Sequence, residues 1–192
     1  YYIFNQANRS FTFNKKKYYY TYKPYNFTWT NERAVEVSLI WEIVKRNKNK
    51  DILEIGNVLA HYHSICHDVL DKYEISKGVI NEDVVTYNSK KKYDYIVSVS
   101  TFEHVGWDEK PRDSKKLPAS LLNLKRLLKK DGTIIFTVPF GYNSDLQKLI
   151  DNDSLPLTKK LYLKRISKDN RWKQASWDEV NHTKYNAPFQ NA

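Results

Sequence analysis

The run Asp51-Ile52-Leu53-Glu54-Ile55-Gly56-Asn57-Val58-Leu59 constrains this chain more than any other stretch. It is short and apolar, carries one acid near its end and stops at a glycine. Strands covered on both faces read as near-continuous apolar runs, so the pattern fits a buried parallel strand whose carboxyl end opens onto a ligand. Gly56 lets the backbone turn sharply or approach a ligand closely. Glu54 carries an ionisable group at a place where burial is costly without a partner. Open α/β sheets bind ligands at this edge, outside the carboxyl ends of their strands.

Later segments repeat the logic. Val79-Ile80 runs into Asn81-Glu82-Asp83, and Tyr93 to Ser100 runs into Thr101-Phe102-Glu103-His104. His67 to Asp71 reads as a weak strand ahead of them. A helix is expected from Thr30 or Asn31, with Val37, Ile40, Trp41 and Val44 on one face, ending in the basic run Lys45 to Lys50. A second amphipathic helix carries Leu117, Leu121, Leu124 and Leu128, with Lys129-Lys130 at its C-terminal dipole and Gly132 as its cap. Thr133 to Pro139 follows as a strand. Asn143 to Asn152 reads as a short helix, and Leu161 to Ser167 alternates like an antiparallel strand. Strands alternating with helices predict a mostly parallel sheet with helices on both faces.

The 192 residues suit one domain, with an aromatic arm over 1–30 and the main domain over 31–192. The arm's interleaved Lys and Tyr, as in Lys15 to Pro24, read as a hairpin or irregular cover; stacking on a nucleic-acid strand is the other reading. Cys66 is the one cysteine, which excludes an internal disulfide and fits a reducing, cytoplasmic compartment. No apolar run reaches the roughly 18 residues of a membrane span. The net charge of +10 suggests an acidic partner, or simply a Lys-rich composition, since the lysines are spread along the chain and form no stripe. There is no Met, and Tyr185 to Ala192 reads like the approach to a strand that does not arrive, so truncated ends are expected.

Taken in order, "DILEIGN", "NEDV", "YDYIVSVSTFEHV" and "LLKKDGTIIFTVP" resemble the class I S-adenosylmethionine-dependent methyltransferases. The resemblance covers roughly Asp51 to Pro139. It implies an α/β, three-layer Rossmann-like sandwich whose mostly parallel sheet has an antiparallel C-terminal edge. It also implies S-adenosyl-L-methionine as cofactor and a small-molecule or glycan acceptor. Glu54 and Gly56 would lie beside the methionine tail, with Asn57 and Ser100 lining the same site. Asp71, or else Glu74, would hold the ribose hydroxyls, and Asp83 would accept from the adenine amine near the Val84 backbone. Two features depart from the family: Gly56 stands alone where several glycines are usual, and the connection from Glu54 to Asp71 is short. The missing Gly-x-Gly-x-x-Gly also argues against a dinucleotide-binding dehydrogenase.

Each acid has a plainer reading on its own. Glu54 could be a strand-end acid paired with lysine, Asp71 and Glu74 a solvated turn, and Asp83 a turn former. Glu103 and His104 are the candidates for chemistry. They follow the fourth strand, and an imidazole suits proton removal from an acceptor; His104 could instead orient a loop or contact cofactor. Trp107, Asp108 and Arg112 in the next loop, and Tyr142 after the fifth strand, are candidate acceptor contacts. His61, His63, Cys66 and His67 form a dense cluster whose spacing matches no standard tetrahedral site, so no metal is expected.

Overall fold

The computed structural model describes residues 8–185. The segment after Tyr185, expected to approach a further strand, lies outside the described residues, as does the start of the N-terminal arm. In chain order the elements are β1 (Ser10–Phe13), β2 (Lys16–Tyr19), α1 (Arg33–Arg46), β3 (Ile52–Ile55), β4 (Asp68–Leu70), β5 (Val79–Ile80) and β6 (Tyr93–Val99). They continue with α2 (Lys116–Leu127), β7 (Leu128–Thr137), α3 (Ser144–Asp151), β8 (Tyr162–Arg165), β9 (Trp172–Ala175) and α4 (Trp177–Val180). Among the described residues no helix is long and apolar enough to cross a membrane.

The chain folds as two compact units, one of residues Ile40–Val138 and one of Tyr1–Leu39 with Pro139–Ala192. In the second of these, β1 and β2 form the hairpin anticipated for the aromatic arm, with Ser10 opposite Tyr19. Asn14 and Lys15 turn it at φ 48° and 61°, the paired left-handed values of a tight hairpin. Phe11 and Tyr20 bury themselves with Ala34, Val35, Leu39 and Trp172, flanked by Phe13, Tyr18, Tyr22 and Leu163. Two buried polar groups pair here: the Tyr20 hydroxyl accepts from the Trp172 amide at 2.8 Å, and Asn170 Oδ1 accepts from the Trp172 indole at 2.9 Å. The Asn31 side chain accepts from the Arg33 amide at 3.1 Å and so caps α1, as its sequence position predicts.

The other unit is built on a five-stranded parallel sheet in the order β5-β4-β3-β6-β7. All four residues of β3 are buried, as are the last four of β6, so the centre of the sheet is the core. The first strand of this sheet is β3, and the chain moves outward from it in one direction through β4 and β5, then in the other through β6 and β7. That reversal makes the gap between the carboxyl ends of β3 and β6 the topological switch point of a Rossmann-like fold.

Two expectations are corrected. The antiparallel strands do not extend the main sheet: β8 and β9 form a two-stranded sheet of their own, in the unit that holds β1 and β2. α2 does not run on to a cap at Gly132 but ends at Leu127, and the chain is extended from Leu128. Between paired positions, β7 takes five steps (Leu128 to Thr133) where β6 takes two (Tyr93 to Tyr95), so three residues bulge out. Lys129 explains the early exit, since its ammonium bridges Asp51 at 2.7 Å and Asp94 at 2.8 Å, at the starts of β3 and β6. Gly132 then fits where a Cβ would lie 2.8 Å from the Tyr93 carbonyl oxygen. The helix keeps its apolar face, with Leu117, Leu124 and Leu127 buried.

Candidate functional site

The turn after β3 is organised by carboxylates. Glu54 is fully buried, and its Oε1 accepts from the amides of Val58 at 3.1 Å and Leu59 at 2.8 Å. Its Oε2 lies 2.8 Å from His67 Nε2, whose side chain is almost wholly buried too. Asp71, directly after β4, sends Oδ2 to the Asn57 amide at 2.9 Å, while its Oδ1 takes the amides of Tyr73 and Glu74, both at 2.8 Å. Three successive amides, of Asn57, Val58 and Leu59, are therefore already held by acids. This is how one glycine suffices where a glycine-rich turn is usual: side-chain acceptors fix the loop. Gly56 itself is required, with φ +83° and an absent Cβ that would sit 2.2 Å from Thr101 Oγ1. The carboxyl ends of β3 and β6 thus meet at Gly56 and Thr101.

Asn57 stands between these groups. Its Nδ2 donates to Glu74 Oε1 at 2.5 Å, and Glu74 Oε2 lies 3.2 Å from His61 Nε2. The Asn57 Oδ1 is buried and, among the described residues, accepts no hydrogen bond. A buried amide oxygen without a donor is costly, so it marks a place where a ligand donor would be welcome.

Asp83, after β5, faces charge. Its Oδ2 lies 3.0 Å from the ammonium groups of both Lys72 and Lys116, and Glu109 contacts the same two lysines at 3.2 and 2.5 Å. Two acids and two lysines, from three connections and the start of α2, form a neutral, partly buried ring; sequence reading named only Asp83, since partners this distant leave no local signal. Val84 is buried and its carbonyl accepts from Asn123 at 3.0 Å. Burial alone would raise the Asp83 carboxyl, but the Val85 amide and the two lysines outweigh it and lower it from 3.8 to about 2. The unfolded chain therefore binds more protons between about pH 4 and pH 2, and stability falls as acid passes through that window. With solvent screening allowed for, the contribution is about 1–2 kcal/mol. Urea unfolding across that range is expected to give a shallower acid loss for Asp83→Asn than for the parent; identical slopes would refute the assignment.

Beyond Thr101, residues Phe102–His104 make one 3-10 turn. Phe102 anchors it edge-on to Phe136 at 5.1 Å. Glu103 is buried, whereas His104 reaches solvent and holds Asp108 Oδ2 at 2.5 Å through Nδ1. Ser100 precedes the turn at φ 40°, its amide donating to the Thr137 carbonyl at 3.0 Å. The Arg112 guanidinium lies 3.4 Å from the centre of the Trp107 ring, a stacked cation–π pair in the same loop. Glu54 lies near the carboxyl end of β3, and Gly56, Asn57, Asp71, Asp83, Ser100, Glu103 and His104 follow the carboxyl ends of strands of the same sheet. Tyr142 belongs to the other unit, edge-on to Tyr185 at 5.0 Å, and Asn143 there caps α3. The histidine cluster divides among separate partners: His61 beside Glu74, His67 on Glu54, and His63 stacked on Trp41 at 4.1 Å. Among the described residues no three His, Cys, Asp or Glu side chains come together as a metal site.

No family model matches the chain, and no curated protein matches it. Among solved structures it is similar to an S-adenosylmethionine-dependent methyltransferase from Clostridium acetobutylicum, at 16% identity and a TM-score of 0.40, over 54% of this chain and 49% of that one. It is also similar to a sugar N-methyltransferase from Streptoalloteichus, at 10% identity and TM-score 0.38, over 70% and 55% of the two chains. A third is the N-methyltransferase NodS from Bradyrhizobium japonicum in complex with S-adenosyl-L-homocysteine, at 13% identity and TM-score 0.42, over 79% and 94%. The chain spans about half the length of the first two.

Proposed function

We propose that the chain carries an S-adenosylmethionine-dependent methyltransferase site acting on a small-molecule or sugar-like acceptor. The observation that supports this best is the loop after β3, where the Asn57, Val58 and Leu59 amides are already occupied by the Asp71 and Glu54 carboxylates. Dinucleotide-binding folds present such amides to a pyrophosphate. Here a phosphate would compete with two carboxylates, a repulsion of about 4 kcal/mol per charge pair at 4 Å with an effective dielectric near 20. A ligand that brings hydrogen-bond donors and a positive charge suits the same seat. S-Adenosylmethionine is such a ligand, with an ammonium tail, ribose hydroxyls and a sulfonium.

In this reading Asn57 Oδ1 accepts a ligand donor, Asp71 or Glu74 takes the ribose hydroxyls, and Asp83 with the Val84 backbone lies on the adenine side. Glu54 acts from beneath, by holding the loop. Bound there, the cofactor supplies an electrophilic methyl group; the chain's own part is to align the acceptor and, for an acceptor with an N–H or O–H, to receive a proton. Glu103 and His104 stand after β6 for that task, with Trp107 and Arg112 beside them toward the acceptor. Binding of nucleic acid by the basic charge is the weaker reading. Lys72, Lys91, Lys116 and Lys129 of this unit are all engaged by acids.

Calorimetry with S-adenosylhomocysteine, NAD and an RNA oligomer tests the proposal. S-Adenosylhomocysteine is expected to bind and NAD is not. Asn57→Ala and Asp71→Ala are expected to lose about 1–3 kcal/mol of that binding each, the usual cost of removing a partner from a buried polar ligand. Binding of NAD in preference, or full affinity in both variants, would overturn the assignment.

A further inference from the structure

We infer that Asp108 is a positioning residue for His104, holding the imidazole in the Nδ1–H tautomer so that Nε2 is the proton-accepting nitrogen. The inference rests on the methyltransferase reading and gives it a specific acid–base arrangement. Both side chains project from one wound segment. The Trp107 and Asp108 amides donate back to the His104 carbonyl at 3.1 and 3.3 Å, and the His104 amide donates to the Thr101 carbonyl at 3.0 Å. The turn cannot easily drift, because Phe102 is buried against Phe136 and Thr101 is in contact with the Gly56 backbone. On this fixed frame Asp108 Oδ2 stands 2.5 Å from Nδ1, so Nδ1 is the nitrogen that carries the proton.

A second carboxylate faces the other nitrogen. Glu103 Oε1 is 3.7 Å from Nε2, outside hydrogen-bond range, and Glu103 is buried. Glu103 therefore adds a second negative charge on the Nε2 side of the ring at more than hydrogen-bond length, whereas Asp108 is within hydrogen-bond reach of Nδ1. The step balances as follows. The acceptor heteroatom forms a bond to the methyl carbon with its lone pair while the carbon–sulfur bond breaks and leaves its pair on sulfur. The heteroatom's N–H or O–H bond breaks, its pair stays on the heteroatom, and the proton passes to His104 Nε2 and later to water. Asp108 keeps its charge throughout. Imidazoles oriented by a carboxylate in this way work as general bases in other folds.

The test reads the tautomer directly. Two-bond ¹H–¹⁵N correlation spectra of the His104 ring are recorded without ligand for the parent, Asp108→Asn and Asp108→Ala, with His104→Gln to assign the signals. The neutral ring of the parent is expected to be Nδ1-protonated. The tautomer ratio is expected to move about tenfold or more toward Nε2–H in Asp108→Ala, reflecting loss of a charge-assisted hydrogen bond. Calorimetry on the parent and the two Asp108 variants is expected to give S-adenosylhomocysteine affinities within about threefold of each other, since Asp108 is not placed on the cofactor. An Nε2-protonated ring in the parent, or the same ratio in parent and Asp108→Ala, would overturn the inference. Failure of the parent to bind S-adenosylhomocysteine would overturn the methyltransferase reading, a result the ring spectra do not depend on.

Discussion

Replacing Glu54 with alanine is expected to lower the free energy of unfolding by about 3–5 kcal/mol, the range for removing one partner of a buried charged network. Glu54 is fully buried, so nothing from solvent can replace it. The substitution strands the Leu59 amide and His67 Nε2, each now 2.8 Å from a Glu54 oxygen, and leaves the Val58 amide only its bond to the Gly56 carbonyl at 3.0 Å. Glu54→Gln separates two contributions. Its side-chain carbonyl can still accept from both amides, so a smaller loss is expected if loop capping dominates. Equal losses in both variants would mean that the pairing with His67 dominates. Urea denaturation measures both, and an alanine variant within about 1 kcal/mol of the parent would remove Glu54 from its place as organiser of the loop.

Gly56→Ala is expected to cost about 2–5 kcal/mol, from two separable sources. A non-glycine residue at φ +83° carries a backbone penalty of about 1–2 kcal/mol. Its Cβ would also lie 2.2 Å from Thr101 Oγ1 and 2.9 Å from Thr101 Cγ2, an overpacking that typically costs about 1–3 kcal/mol. Thr101→Ala removes both of those atoms and leaves only its Cβ, at 3.0 Å. In that background most of the packing part should go and the backbone part should stay, giving a coupling energy of about 1–3 kcal/mol in a double-mutant cycle. Additive losses would show that the ends of β3 and β6 do not meet at this contact. S-Adenosylhomocysteine binding by the same variants would show whether the closeness of the two strand ends matters to the ligand as well as to the fold.

Much of the sheet could be read from the chain. Ile52–Ile55 and Tyr93–Val99 announce themselves because a strand covered on both faces needs a near-continuous apolar run, and that is a local property. Acids at or just after the ends of such runs mark the carboxyl edge, because a buried carboxylate needs partners and loop amides gather there. Asn31, three positions from the first buried residue of α1, identifies its own role as a cap. The helix over Leu117 to Leu127 was legible from its periodicity, but its end was not. What terminates it is Lys129 reaching Asp51, 78 residues away in sequence, and Asp94.

The sequence by itself determined the parallel α/β core and the set of acids lining one edge, because hydrophobic periodicity and the solvation cost of carboxylates act residue by residue. Only the tertiary structure decided what those acids hold. Glu54 turns to loop amides and His67, Asp71 to the Asn57 amide, and Asp83 to lysines 11 and 33 residues away. It also decided that β8 and β9 pair apart from the main sheet, and that Asp108 lies against the His104 ring. A carboxylate accepts from any donor of suitable geometry, so its partner depends on which donors the folded chain brings within about 3 Å.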